Sequence, residues 1–476
     1  MATYGTSDHQ PLPSYSPSAR NSLTRSFGNT STAPGWPVTF EAGVETVLQS
    51  PATSRRDSHD AFAEHSHILK TESGHGRGTS TFREAVFNSI NVLLGVGVLS
   101  SPFAMRSSGW LIGVPLFLFF VLVTNHTGKL LGKCLEYQEG MMTYPDIGEA
   151  AFGTRGRKLI SVMFFAELFT VCVLFDILIG DTLAALLPAY TPSQLMVAGF
   201  VVVMPTLWTA HLSMLSWFSL LGIISSFFCL YAIFFVGFAI DYEAPDYTMG
   251  SLLRPQPTEL IADADRIPLA IGMTMVAFGD HSVFPSICSS MQNRADFPAV
   301  LDIAYVVTSL VYGAIEVGGY LMFGNSSAEE ITLNLVDVYP GTLMTLMIWM
   351  VAFNPMSKVP ITIHPVALAI EELLFTPQEL HHATYRVKFY RALVRTTIGV
   401  LALLCALYIP SFARLTSFLG AFFAMFASVF FPCVCYLKLF GHRLNRGAKI
   451  LNASLAVISV FLTIVGTISS FVSPTK

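Results

Sequence analysis

Hydrophobic residues in this chain gather into long unbroken runs. Eleven stretches stand out: 82–106, 110–134, 158–186, 194–211, 213–240, 267–291, 299–323, 342–373, 390–409, 411–440 and 448–472. A helix rising 1.5 Å per residue needs about 20 apolar residues to cross about 30 Å of hydrocarbon, and these runs are near or above that length. The pattern predicts an all-α membrane protein with about eleven transmembrane helices. Only His211-Leu212-Ser213 separates the fourth stretch from the fifth. Before Thr81 the pattern changes: Ser, Thr, Pro and Gly dominate, as in Ser14-Tyr15-Ser16-Pro17-Ser18, and the apolar surface is too small to drive folding. Residues 1–80 are therefore predicted to be a disordered tail, and they contain no basic-then-apolar leader.

Composition agrees. The chain is 53% hydrophobic and 12% charged, whereas a soluble domain carries about 25% charged residues. A net charge of −4 supplies no basic field for nucleic acid. Cys172, Cys229, Cys288, Cys405, Cys433 and Cys435 fall in or beside apolar runs and Cys134 adjoins Lys133, so the cysteines read as small buried hydrophobes rather than disulfide partners. Zinc-protease, nucleophile-elbow and phosphate-loop patterns are absent, and Gly95-Val96-Gly97 lacks the third glycine and the strand of a dinucleotide site. An enzyme is not expected, and no cofactor is implied.

Lys129, Lys133, Arg155, Arg157, Lys158, Arg386, Lys388, Arg391, Lys438, Arg443, Arg446 and Lys449 crowd the even-numbered loops. Cytosolic loops hold such an excess, which puts the tail in the cytosol and the C-terminus on the opposite side. Asn325-Ser326-Ser327 is a glycosylation sequon on a predicted non-cytosolic loop.

The first and sixth stretches are interrupted. The first reads Asn88-Ser89-Ile90-Asn91-Val92-Leu93-Leu94-Gly95-Val96-Gly97-Val98-Leu99-Ser100-Ser101-Pro102. Each interior glycine costs a helix about 1 kcal/mol and Pro102 removes a hydrogen bond, so a break is expected near Gly95 to Gly97. The sixth repeats the device as Ala277-Phe278-Gly279-Asp280-His281-Ser282-Val283-Phe284-Pro285. Each break opens a set of five helices, an odd number, so the second set begins on the other side of the membrane as an inverted repeat with its site at the midplane.

A half-helix starting inside the bilayer presents free N–H groups and a positive dipole end to a carboxylate, while freed carbonyls suit an ammonium group. Asn91, Gly95, Val96, Gly97, Phe278, Gly279 and Asp280 are the candidate substrate-binding residues for a small zwitterion such as an α-amino acid. Val96, Val98, Phe278 and Val283 line the breaks and favour a neutral side chain. The plainer reading makes Gly95 and Gly97 helix-packing residues, but Asp280 and His281 are too polar for packing alone. Glu167, Asp176, Asp181 and Glu316 mark other spans and are expected to pair or to reach an interface, and His126 is expected to make a structural hydrogen bond.

The segment Asn91 to Pro102, the loop Tyr144-Pro145-Asp146-Ile147-Gly148-Glu149-Ala150-Ala151-Phe152-Gly153, the segment Gly279 to Pro285, and Gly319-Tyr320-Leu321-Met322-Phe323-Gly324 together resemble the amino acid/auxin permease family. Within it the chain is most similar to the eukaryotic vacuolar amino-acid transporters, from about Thr81 to Val472. The resemblance implies a five-plus-five inverted-repeat fold, like that of the bacterial leucine transporter, with an eleventh helix appended. Its parts would be the tail 1–80, a first repeat 81–240, a second repeat 241–440 and the last helix 441–476. It also implies an amino-acid substrate, proton coupling by alternating access, and the vacuolar membrane.

In that fold the first and eighth helices meet beside the substrate, where sodium-driven relatives hold an ion. The eighth stretch carries Asn354-Pro355-Met356-Ser357-Lys358-Val359-Pro360. Lys358 is expected as a resident positive charge in place of that ion, with Asn91 and Ser357 as its solvating partners. The competing reading has Lys358 snorkel to the surface. His281 is the second proton candidate, as a side chain that titrates near neutrality, against a purely structural role. Two further readings are an amino-acid sensor that signals through its tail and a plasma-membrane proton symporter. Transport that survives deletion of the tail favours a carrier over a sensor.

Overall fold

A peptide group without a partner costs several kcal/mol in hydrocarbon, so a chain this apolar is driven into helices that satisfy their own backbone. The structure is a computed structural model and describes residues 78–472 apart from 96, 139, 209–215, 240–248, 340, 376–384 and 410. Most of the tail, Val96 and His211-Leu212-Ser213 lie outside the described residues.

Every predicted stretch carries a helix. The first is split into α1 (Phe82–Leu93) and α2 (Gly97–Ser108), bent by 53°. Then come α3 (Trp110–Leu135), α4 (Tyr144–Leu186), α5 (Pro192–Leu207) and α6 (Ser216–Ala239). The sixth stretch is split again, into α7 (Ile267–Val276) and α8 (Phe284–Ser290). It is followed by α9 (Phe297–Phe323), a short loop helix α10 (Ile331–Val338), α11 (Thr342–Leu374) and α12 (Tyr385–Tyr408). The tenth begins as α13 (Phe412–Phe418), widens into π-helical turns over Leu419–Ala424 and Phe426–Phe430, and ends as α14 (Phe431–Phe440). The last helix is α15 (Arg446–Val472). Among the described residues seven helices are long and apolar enough to span a membrane, the bent pair α1/α2 makes an eighth, and α5, α7 and part of α6 are shorter.

Capping agrees with the sequence. Thr81 and Glu84 close a reciprocal capping box at the start of α1, and Thr191 and Gln194 do so for α5. Thr79 and Ser80, which composition assigns to the tail, are tied down: the Ser80 N–H donates to the Ser290 carbonyl at 2.9 Å and the Ser80 carbonyl accepts from Gln292. The segment from Tyr144 to Gly153 is helical. It joins α4 across a kink at Gly153 (φ 68°), and Tyr144 is buried, its hydroxyl donating to the Ala427 carbonyl.

Two faces emerge from the loop contacts. A near face, where α1 begins, gathers Ser80, Met142, Ser289 and the Lys129–Asp302 ion pair. A far face gathers the ends of α2 and α9, residues 249–266 and α10, with Arg106 donating to the Ser327 carbonyl at 2.8 Å.

Between helices the contacts rest on small residues, as expected where lipid gives no hydrophobic advantage to association. A Cβ on Gly420 would overlap the Gly272 carbonyl, and one on Gly272 would overlap Ser417, so α7 and the tenth helix touch backbone to backbone. Ser417 donates to the Leu269 carbonyl across the same seam at 2.9 Å. At the near-face end of α11, Glu371 is wholly buried and accepts from Arg391 at 2.8 Å and Arg395 at 3.0 Å. His126 meets Asn452 at 3.2 Å, a structural hydrogen bond between α3 and α15.

Removing one member of a buried charge network strands the others, at about 3–5 kcal/mol. Glu371→Ala is expected to lower the unfolding temperature in detergent markedly, while Gly447→Ala, whose added methyl meets only Asn445 at 3.8 Å, leaves it unchanged. Equal melting of the two variants would contradict this packing.

Candidate functional site

The first break begins where α1 runs out of partners. Leu94 caps α1 with φ −81° and ψ 70°, and the helix resumes at Gly97. The end of α1 points its carbonyls, and the start of α2 its N–H groups, into the break, where the Val98 N–H donates to the Gly95 carbonyl at 3.4 Å and the Gly95 N–H to the Leu93 carbonyl at 3.0 Å. That pairing offers a negative dipole end and a positive one side by side, complementary to an ammonium and a carboxylate. Tyr312 on α9 holds the break in place, its hydroxyl donating to the Leu93 carbonyl at 3.1 Å.

The two glycines of this break do different work. A Cβ on Gly95 would meet nothing within 4 Å, so the chain there borders open space. A Cβ on Gly97 would lie 3.1 Å from Val276 and 3.3 Å from Ala277, so Gly97 lets α2 close on α7. The ligand-approach reading fits Gly95, and the packing reading fits Gly97.

The second break covers residues 277–283, which form tight turns: Phe278 to Met275 at 3.1 Å, His281 to Gly279 at 2.9 Å, Val283 to Asp280 at 3.2 Å. Gly279 is again a packing glycine, because its missing Cβ would overlap Ala424, and its carbonyl accepts from Ser428 at 2.6 Å. The π-helical turns of the tenth helix bring Ala424 and Ser428 to this break; such turns commonly sit at functional sites. Phe278 is fully buried in an aromatic cluster with Phe117, Tyr305 and Tyr312, at ring separations of 5.4, 6.2 and 5.5 Å.

Asp280 interacts electrostatically with Lys358 on α11 and with the Glu167 carboxyl on α4. All three remain partly accessible although they lie deep in the bundle. Asp280 and Lys358 are not in direct ion-pair contact; the described ion pairs lie elsewhere. His281 is buried. Its Nε2 sits 2.9 Å from the Thr124 carbonyl, an acceptor, so this nitrogen carries the hydrogen, and Thr127 is at 3.0 Å. Its Nδ1 has no partner and its ring packs on Phe284 at 4.8 Å. Ser357 is buried and donates to the Asn354 carbonyl at 2.7 Å. Asn91 lies on the last turn of α1, half-buried.

Two narrow cavities flank the breaks, each of about 10 Å³, room for roughly one water. One is lined by Gly95, Val98, Leu99, Leu178, Ser225, Ser226, Val351 and Asn354, between α2, α4, α6 and α11. Asn354 donates to Ser225 at 3.2 Å there, and its side-chain oxygen has no partner. The other is lined by Glu167, Ser282, Tyr144 and Phe426, among others. Sequence reasoning missed Tyr312, Ser225, Asn354 and Ser428. The small residues Gly420, Ala424, Ala427 and Ser428 were a readable sign that the tenth helix packs closely, but hydropathy carries no trace of π-helical winding.

Helices broken in mid-bundle around a polar centre define a multi-pass membrane carrier. The chain belongs to the family described as transmembrane amino acid transporter protein, whose model matches residues 78–472. It is 36% identical over 401 residues to amino acid transporter AVT1E of Arabidopsis thaliana, covering 80% of this chain and 71% of that one. It is 24% identical over 419 residues to the vesicular inhibitory amino acid transporter of Xenopus tropicalis, covering 84% and 78%. Among solved structures it matches a Na⁺-coupled sialic acid symporter in a substrate-bound outward-open state, with a TM-score of 0.51 at 14% identity over 85% of this chain and 91% of that one. That likeness shows the fold: all-α and of the leucine-transporter kind.

Gly95→Ala fits sterically but projects a methyl into the space beside the break. It is expected to preserve expression and melting while weakening amino-acid binding about tenfold, or about 1.4 kcal/mol. Scintillation-proximity binding on purified protein measures this, and unaltered binding would remove Gly95 from the site.

Proposed function

We propose that this chain is a secondary active transporter that carries neutral amino acids across a membrane by alternating access, coupled to protons. The observation that carries the reading is the pair of neighbouring breaks, at Leu94-Gly95 and over 277–283, with Gly95 bordering open space and Asp280 coupled to Lys358. The zwitterion's carboxylate binds at the start of α2 and its ammonium at the carbonyl end of α1. Its side chain occupies the cavity lined by Val98, Leu99, Leu178 and Val351 together with Ser225, Ser226 and Asn354, a lining without a charged residue that would hold a charged side chain poorly. That cavity takes about one water, so this arrangement is closed and substrate enters after the helices part.

For coupling, Lys358 with Asp280 is the titrating pair. A proton arriving at Asp280 removes the partner of Lys358 and unbalances the charge between α11 and the second break, and its departure restores the attraction. Glu167, which faces the cavity with Ser282, gives the proton a path on the near side. His281 is the second candidate through its unpartnered Nδ1. The five-plus-five inverted repeat, with residues 81–240 and 241–440 as its halves, supplies the two alternating arrangements. The positively charged near-face loops support a cytosolic near face and N-terminus. The motif resemblance and the vesicular relative support placement in the vacuolar membrane.

Reconstituted in proteoliposomes, the protein is expected to accumulate labelled neutral amino acids under an imposed pH gradient and to lose that accumulation with a protonophore. Lys358→Ala is expected to cut gradient-driven accumulation at least about tenfold, a change of about 1.4 kcal/mol, while retaining exchange at equal pH. Unchanged accumulation in Lys358→Ala would refute its role. His281→Gln tests the second candidate: an unaltered pH profile removes it.

A further inference from the structure

The far face holds a carboxyl that the transport reading does not use. Glu330, just ahead of α10, has no exposed surface, and neither of its carboxylate oxygens meets a hydrogen-bond partner. Its neighbour Glu329 is satisfied: Ser411 donates to it at 3.2 Å and the Ala413 N–H at 2.8 Å, so Glu329 caps α13. Glu330 instead interacts with Asp181 on α4. The buried hydroxyls of Thr182, next to Asp181, and Thr332, two residues after Glu330, also lack partners.

Helix α10 packs across α2, α4, α6 and α11. Of these, α2 contributes Arg106, whose guanidinium is committed to the Ser327 carbonyl, and α4 contributes Asp181. No charged residue occurs in α6 or in α11 before Lys358. Glu329 and, on α13, Arg414 complete the charged groups around the loop, and Asp337 at the far end of α10 is exposed. Among the described residues none of these cations forms an ion pair with Glu330.

A buried carboxylate with no donor and two acidic neighbours is far costlier than the neutral acid. Burial, with Asp181 and Glu329 beside it, accordingly holds the Glu330 carboxyl well above the usual carboxylate range. We propose that Glu330 is a proton-binding site governing a far-side lid: α10 docks while Glu330 carries a proton and lifts when that proton leaves to far-side water. The sign follows from linkage. A carboxyl whose value is raised in the docked state favours docking at low pH, and this preference is lost as pH rises toward the docked-state value. The inference goes beyond the central site, and its test reads the lid rather than flux, so it stands or falls separately from the transport reading.

The test is hydrogen–deuterium exchange of the segment 327–339 in the full chain in lipid nanodiscs, taken across a pH series. Glu330→Gln, the isostere of the protonated acid, serves as reference at each pH and cancels the intrinsic pH dependence of exchange. Wild-type protection relative to Glu330→Gln is expected to fall at least about tenfold from acidic to mildly alkaline pH, the effect of a shift of about one pH unit. Asp181→Asn, which removes a like charge, is expected to shrink that fall, and it carries the test alone if Glu330→Gln does not fold. Parallel profiles for wild type and Glu330→Gln would overturn the proposal, as would an undiminished fall in Asp181→Asn. Protection restored by sodium at alkaline pH would also overturn it, by making the site one for a metal cation.

Discussion

The structure turns on one constraint: a peptide group freed inside a hydrocarbon layer must find a partner in the protein or in what the protein binds. Breaking α1/α2 and α7/α8 at mid-bundle creates such groups deliberately, and the surroundings answer them one by one. Tyr312 reaches the Leu93 carbonyl, Ser428 the Gly279 carbonyl, and tight turns use up most of residues 277–283. At the first break the Val98 N–H turns back to the Gly95 carbonyl at 3.4 Å, and Gly95 itself borders open space where a ligand can approach the backbone.

Close helix packing makes those breaks affordable. Gly97 against Ala277, Gly279 against Ala424, and Gly272 against Gly420 draw α2, α7 and the π-wound tenth helix into backbone contact. The same contacts limit motion to discrete arrangements, because a seam of touching backbones either holds or parts. A closed central cavity and a packed α10 on the far face belong to one such arrangement, and the ionisable groups of Asp280, Lys358 and Glu330 are placed where parting would change their surroundings.

Much of this was legible in the sequence. Apolar runs located the helices because hydrocarbon thickness fixes their length, and glycine with a following proline, Gly95 and Gly97 before Pro102 and Gly279 before Pro285, located both breaks to within a few residues. The site was legible only in outline. Gly95 and Gly97 look alike in sequence, yet one borders space and the other meets Val276; only the path of the neighbouring helix distinguishes them. Tyr312, Ser225 and Asn354 reach the site from helices whose apolar runs say nothing about which face points inward. Tyr144 is anchored to Ala427 by a contact 283 residues away in sequence, which no local pattern reveals.

The most direct measurement is an experimental map of the full chain in lipid with a neutral amino acid bound. Density for the zwitterion between the break at Leu94-Gly95 and residues 277–283, its carboxylate at the start of α2, is the result expected. Helices α1/α2 and α7/α8 that run unbroken, with the amino acid bound elsewhere, would contradict the account.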